Sequence, residues 1–382
     1  MNNNVIYLDN QSTTPIDPRV LKEMNPFLTN FYGNPASSNH LYGWQANEAI
    51  TIAREKVSKL INTIPDNIIF TSGATESINL ALKGLYNNVL KVGDHIITTN
   101  IEHKAVIDVL DYLSQIGIEI TYLPVNNKGL INLDDIVKSI KNKTKICTII
   151  HGNNEIGTIQ NIKKIGELCK KNNILFHVDA AQTLGKQIID VNEMNIDLLS
   201  VSGHKLYAPK GVGALFIDKM NNEIKLTPLI HGGGQEYGLR CGTLSVHNIV
   251  GFGEACSIAL KNVIDDQAKI LKLRNKLYDE LKKIFPDIII NGSLSQRLDG
   301  NLNITIPNYN AQEIISEMTN LAFSTGSACM SENPKPSHVL TAIGLNEKEI
   351  NETIRIGIGR LNTDNDINRT INYFKELKNG KN

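Results

Sequence analysis

The sequence predicts an α/β protein: a large domain on a mostly parallel central sheet, followed by a smaller α+β C-terminal domain. Three observations carry this. Apolar strand-like runs alternate with helical patterns from about residue 15 to 255. After about residue 256 that rhythm gives way to one long helical stretch and a few short strands. The chain has 382 residues, 41% of them hydrophobic, which is enough for one large and one smaller core.

In chain order, the segment up to "TTP" reads as an arm. A first helix carries Ala49, Ile52, Ala53, Val57 and Leu60 at helical spacing. The strands are "NIIFTSG", "DHIITTN", "IEITYLP", "TKICTIIHG", "NILFHVD", "IDLLSVSG" and "GVGALFI", with amphipathic stretches between them. Alternating β and α of this kind gives a parallel sheet covered on both faces. The stretch "DDQAKILKLRNKLYDELKKI" opens the second part, where "DIIING", "NLNITIP" and "TIRIGIG" are strands. The last helix starts near "TDNDIN", capped by Thr363 or Asp364. The expected domains are therefore 15–255, and 1–14 together with 256–382. The second includes the segment 324–337.

Composition excludes some functions. Lys plus Arg and Asp plus Glu both number 39, so no overall charge favours coating nucleic acid or a membrane surface. No apolar run approaches the ~18 residues that span a bilayer. The cysteines, at 147, 169, 241, 256 and 329, are odd in number and show no C-x-x-C spacing. With no secretory h-region after "MNNN", a reducing, cytoplasmic-type compartment is expected.

Open parallel sheets bind ligands beyond the carboxyl ends of their strands. In "IIFTSGATESINLALKGL" a strand, a glycine turn and a helix place Ala74 and Thr75 at a helix start, where free N–H groups favour a phosphate. A plain capped helix with Thr75 and Glu76 in its first turn is the competing reading. "NILFHVDAAQ" ends a buried strand on Asp179, a carboxylate that needs a cation, a hydrogen bond or a capping role. "IDLLSVSGHKLYAPKGVG" ends another on Ser202, Gly203, His204 and Lys205. A lysine held there loses solvation, and its pKa falls toward that of a usable amine nucleophile; a solvated surface lysine is the competing reading. Together the three strand ends meet the demands of pyridoxal phosphate: a Schiff-base lysine, an acid for the pyridine nitrogen and N–H donors for the phosphate.

"FTSGATESINLALKG", "HVDAAQTLGK", "SGHKLYAPKGVGALF", "HGGGQEYGLRCGT" and "STGSAC", in this order, resemble the cysteine desulfurases of the NifS/IscS type, fold-type I pyridoxal phosphate enzymes. The resemblance runs from "YLDNQSTTP" to "IRIGIGRLNT". It implies that Lys205 binds the cofactor aldehyde and removes the substrate's α-proton, that Asp179 pairs with the pyridine nitrogen, and that His103 stacks on the ring and shuttles protons. A lone His before a helix is otherwise a cap or a core residue. Gln182 and Asn154 would contact cofactor and substrate, and Thr75, Ser202 and His204 the phosphate. Thr243 would reach the phosphate of a neighbouring subunit, which implies a homodimer. Arg355 would grip the carboxylate of L-cysteine, a role that suits a guanidinium fork.

In the same resemblance Cys329, in "STGSACMSENPKPS", supplies the thiolate that takes the substrate's sulfur as a persulfide while alanine leaves. Gly326, Ser327 and Ala328 suit a mobile loop, and Pro334 and Pro336 keep it out of a helix. The competing reading is an inert small residue. A thiol of ordinary pKa near 8.5 needs a proton acceptor, and His103 is the candidate. Cys147, Cys169 and Cys256 read as structural.

The chain departs from the family pattern at Cys241, where Ser or Ala is usual, and at Met330, where Thr or Ser is. It also ends at Asn382, soon after its last helix, where similar housekeeping members carry a longer tail that contacts the iron–sulfur scaffold protein. The expected acceptor is that scaffold, with Cys329 as a transient ligand of the cluster in transfer and no resident metal. A tRNA-thiolation enzyme or another dedicated acceptor is the alternative. A selenocysteine lyase or aminotransferase-like enzyme is the alternative chemistry. A mitochondrial-type matrix is the compartment expected of a processed eukaryotic form.

Overall fold

The computed structural model describes residues 5–325 and 336–380. The sequence readings at Gly326, Ser327, Ala328, Cys329, Met330 and Pro334 lie outside the described residues.

The arm does not dangle. Its strand β1 (Ile6–Tyr7) pairs in parallel with Leu321–Ala322. Leu8 is fully buried beside it in the second core.

The seven predicted strands form one sheet: β2 (Ile68–Thr71), β3 (His95–Thr99), β4 (Glu119–Leu123), β5 (Thr144–Ile150), β6 (Leu175–Asp179), β7 (Leu198–Ser202) and β8 (Gly213–Ile217). Their order is β2-β8-β7-β6-β5-β3-β4. β8 runs against both its neighbours, and the rest pair in parallel. Both faces are covered because successive residues feed opposite cores. Phe70, Ile97 and Phe176 pack on one side, and Ile69, Ile96 and Leu175 on the other. The chain leaves β3 toward β4 in one direction and β5 toward β6 and β7 in the other. A crevice opens at that switch point, beyond the carboxyl ends of β3 and β5.

The remaining strands are β9 (Ile289–Ile290), β10 (Asn301–Thr305), β11 (Leu321–Ala322, which makes a two-stranded sheet with β1), β12 (Ser324–Thr325) and β13 (Thr353–Gly357). β12-β13-β10-β9 form an antiparallel set. One 39-residue helix, Val246–Ile284, runs through the position where the sequence places the domain boundary. Its first half buries Ile249, Phe252 and Ala255 against the large sheet's core. Its second half buries Leu273, Leu277 and Leu281 in the smaller one. A continuous helix needs no composition shift to change partners, so the rhythm break at 256 marks a change of neighbours and not the start of an element. The last helix, Asp364–Gly380, begins where expected, with Thr363 Oγ1 accepting from Asp366 N at 3.2 Å.

Five buried groups shape stability against pH between 3 and 8. Burial pushes His151 down to about 4 and His177 to about 3. Burial pushes Glu102 up to about 8 and Glu155 to about 7. The neutral histidines stabilise the fold fully above the unfolded value near 6.5 and lose that contribution as acid passes through 4 to 3. The protonated carboxyls stabilise it fully below about 4.5 and lose it as pH rises through 7 to 8. Between 4.5 and 6.5 the two pairs offset each other. Burial also pushes Lys186 down to about 7, and since its unfolded value is near 10.5 it makes stability rise with pH above 7. Melting temperature is therefore expected to decline from pH 6.5 to 7 and to level off between 7 and 8, and Glu102→Gln should turn that plateau into a rise in a pH series of thermal melts.

Candidate active site

At the carboxyl edge of the large sheet lies a cavity of about 530 Å³, a size that suits a cofactor with a small substrate. Ala74, Thr75, His103, Asn154, Asp179, Gln182, Ser202, His204, Lys205 and Arg355 all line it. Thr243 does not; it is exposed on a separate loop.

The floor comes from strand ends. Gly73 caps the helix Ala74–Gly84 with φ 151°, a conformation side chains resist, and no side chain caps its first N–H groups. A Cβ on Gly213 of the neighbouring β8 would meet the Gly73 Cα at 2.6 Å, so the two backbones approach closely there. Glu76 bends back to accept from Ser72 N at 2.7 Å and pairs with Arg240 at 2.8 Å. The capped-turn reading of Glu76 is thus realised, while the helix N–H groups stay open toward the cavity.

Asp179 ends β6 and is 3% exposed. Its Oδ1 accepts from Ala181 N at 2.9 Å. Burial raises its pKa against the pull of His103, that N–H and Lys205. Such a carboxyl is completed by a cationic donor from a ligand. Gln182 donates to the Gln11 carbonyl at 2.8 Å, and its Oε1 is buried with no partner among the described residues. His103 caps the helix Lys104–Gln115, its Nδ1 accepting from Ala105 N at 3.1 Å. It therefore fulfils the capping role and faces the cavity as well. Burial lowers its pKa, with Asp179 opposing, so the neutral ring with its proton on Nε2 is the favoured form. Burial, reinforced by the neighbouring Lys205, holds His204 at about 4.

Lys205 lies in the short turn after β7. Its Nζ donates to the carbonyls of Gln11 and Ser12, the latter at 2.7 Å. The arm is pinned over this turn by Thr14, whose Oγ1 donates to the His204 carbonyl at 2.9 Å and accepts from Tyr207 N at 2.8 Å. Gln11, Ser12 and Thr13 thus line the cavity, which the sequence reading missed. The only local signal was an unbroken polar string, "DNQSTT", beside a short apolar strand.

Arg355 arrives from β13 of the other sheet and is 1% exposed. Its Nη2 donates to Asp9 Oδ1 at 2.8 Å and Ser12 Oγ at 2.7 Å, and its Nη1 to the Asn154 carbonyl at 3.1 Å. Its Nε is buried with no hydrogen-bond partner among the described residues. The cavity thus offers helix N–H groups, a buried acid, an amine and a guanidinium with an unused donor. The unpartnered Gln182 Oε1, the unpartnered Arg355 Nε and the raised Asp179 fit a pyridoxal phosphate carrying an amino acid.

Both flanks of the cysteine segment are anchored close by. Ser324 Oγ donates to Asp9 Oδ1 at 3.1 Å. Ser337 Oγ donates to the buried Glu155, next to Asn154, at 2.5 Å. Ser337 also caps the helix His338–Ala342, which starts just after Pro336. Among the described residues Cys147, Cys169, Cys241 and Cys256 are free and buried.

The profile of the aminotransferase class-V family matches residues 6–370. A "Cysteine desulfurase IscS" from Shewanella denitrificans is 48% identical over 373 residues, 97% of this chain and 92% of that protein. A "Cysteine desulfurase, mitosomal" from Encephalitozoon cuniculi is 47% identical, covering 98% of this chain and 87% of the other. Among solved structures, a "NifS-like protein" superposes with a TM-score of 0.92 at 36% identity, over 98% of this chain and all of that one. "SspA in complex with cysteine" superposes with a TM-score of 0.81 at 39% identity, over 94% of this chain and 99% of that one.

Proposed function

Since the chain belongs to the aminotransferase class-V family, and within it is a pyridoxal-phosphate-dependent cysteine desulfurase, we propose how its own residues divide the work. The observation that carries the division is one cavity lined by Asp179, Lys205 and an Arg355 whose Nε has no partner among the described residues. Lys205 would hold the cofactor's aldehyde, Asp179 its ring nitrogen, and the N–H groups at Ala74 and Thr75 with Ser202 and His204 its phosphate. Gln182 and Asn154 flank the ring and the substrate. Bound there, the cofactor supplies an electron sink that labilises the α-proton and the sulfur of an attached cysteine.

The remaining steps are the chain's. Arg355 orients the substrate carboxylate. Lys205 Nζ, desolvated beneath the arm, accepts the α-proton. His103 exchanges a proton at Nε2. The thiolate of Cys329 attacks the substrate's sulfur; the S–S bond of a persulfide forms as the carbon–sulfur bond breaks, and the electron pair left on carbon takes up a proton as the skeleton leaves as alanine. The anchoring of Ser324 and Ser337 beside Asp9 and Glu155 supports Cys329 as the acceptor. Mass spectrometry after addition of L-cysteine tests the scheme. One added sulfur on the Cys329 peptide, with alanine released, is expected; sulfur elsewhere, or none, would overturn it.

The enzyme's next acceptor is, in this reading, an iron–sulfur scaffold protein, with Cys329 as a transient ligand of the cluster under assembly. The IscS and mitosomal names of the relatives support it; transfer to a tRNA-thiolation enzyme is the second option. A homodimer is supported by the exposed Leu28, Tyr32, Leu41, Tyr42 and Trp44, and by Thr243, which is exposed and outside its own chain's cavity. A reducing compartment, cytoplasm or organelle matrix, accords with the free described cysteines. No helix among the described residues is long and apolar enough to cross a membrane.

A further inference from the structure

We propose that Asp9 is a positioning residue that sets how strongly Arg355 holds a carboxylate, by occupying the guanidinium nitrogen that every two-point grip requires. The inference rests on the reading of Arg355 as the substrate's carboxylate site.

A guanidinium offers a carboxylate two bidentate edges, Nη1 with Nη2 and Nε with Nη2. Nη2 is common to both. Here its two hydrogens go to Asp9 Oδ1 at 2.8 Å and Ser12 Oγ at 2.7 Å. Nε has no partner. An incoming carboxylate finds Nε free but completes a fork only by taking Nη2 from one of these two. It also approaches a guanidinium whose charge is already paired with the Asp9 carboxylate, itself 20% exposed.

Asp9 is held in that position from several sides. The same Oδ1 accepts from Ser324 Oγ at 3.1 Å, and Ser324 lies opposite Arg355 in the β12–β13 pair. Tyr7 Oη donates to the Asp9 and Thr13 carbonyls at 3.1 and 2.9 Å, fixing the turn of the arm. The competing anion is therefore built in. Its consequence is a site that orients the guanidinium without holding the carboxylate product so tightly that release becomes slow.

The test compares a ligand with a carboxylate, L-alanine, with one that lacks it, cysteamine, by equilibrium titration of the holoenzyme. Asp9→Asn keeps an oxygen acceptor for Nη2 and removes the charge. It is expected to tighten L-alanine by roughly three- to tenfold, an effect set by one screened charge beside the site, and to leave cysteamine unchanged. Asp9→Glu keeps the charge and should not tighten L-alanine. Should Asp9→Asn fold poorly, Asp9→Ser supplies a second neutral variant. Unchanged or weaker L-alanine binding in the neutral variant, or equal tightening of both ligands, would overturn the inference. Arg355→Met is the separate control. If it leaves L-alanine affinity intact, the carboxylate reading of Arg355 has failed; if it weakens L-alanine and the neutral Asp9 variant does not tighten it, only the present inference has.

Discussion

Cys329→Ser is expected to lower alanine production from L-cysteine by on the order of 10³-fold or more, the scale seen when an enzyme loses its nucleophile. The cofactor's absorbance and the spectral change on adding L-cysteine should survive, because the residues proposed to hold the cofactor and the substrate carboxylate are unchanged. The other thiols are poor substitutes. The neighbouring Cys169 thiol and burial push the Cys147 thiol up, and burial pushes Cys256 up. Thiols kept protonated in this way are weak nucleophiles. Cys241 is 6% exposed, its Sγ 3.9 Å from the Gly238 carbonyl, and Cys241→Ser should retain turnover. Full sulfide release from Cys329→Ser would refute the assignment and return attention to Cys241.

Lys205→Ala is the second large effect. It should remove both the near-visible band of the lysine-bound cofactor and desulfuration. The structure adds a complication that a companion variant resolves. In the cofactor-free chain Lys205 Nζ also donates to the Gln11 and Ser12 carbonyls, so its loss removes two ties from the arm, which Thr14 and the β1 pairing still hold. Unmade hydrogen bonds of this kind cost about 1–3 kcal/mol where water cannot replace them. Lys205→Arg can still donate to the arm, and a guanidinium does not serve as an amine nucleophile at neutral pH. Compared without cofactor, it should restore the melting temperature lost in Lys205→Ala; with cofactor added it should not restore the band. Recovery of the band in Lys205→Arg would mean that the lysine acts by pinning the arm and not by its chemistry.

Much of this was legible in the chain itself. Each strand of the large sheet announces itself by a short apolar run closed by a turn, and parallel strands end on one edge. Thr75, Asp179 and Lys205 could therefore be placed near one another by counting strand ends. His103 was ambiguous between cap and site, and the structure shows why: a residue at a helix start beyond a parallel strand caps the helix and faces the crevice at once. Cys329 is proposed by resemblance and chemistry alone, since a polar glycine-rich segment carries no periodicity.

The local features are written in the residues alone: strand runs, the glycine turn at Gly73, and a lysine and an acid at the ends of their strands. These follow from side-chain alternation and backbone preference over a few residues. Which distant segments close the cavity depends instead on how the two sheets pack. Arg355 meets Asp9 across 346 positions, and Lys205 is roofed by the Gln11 and Ser12 carbonyls. Such contacts leave no periodic trace, because the packing of one sheet against the other creates them and either partner alone could equally have faced water.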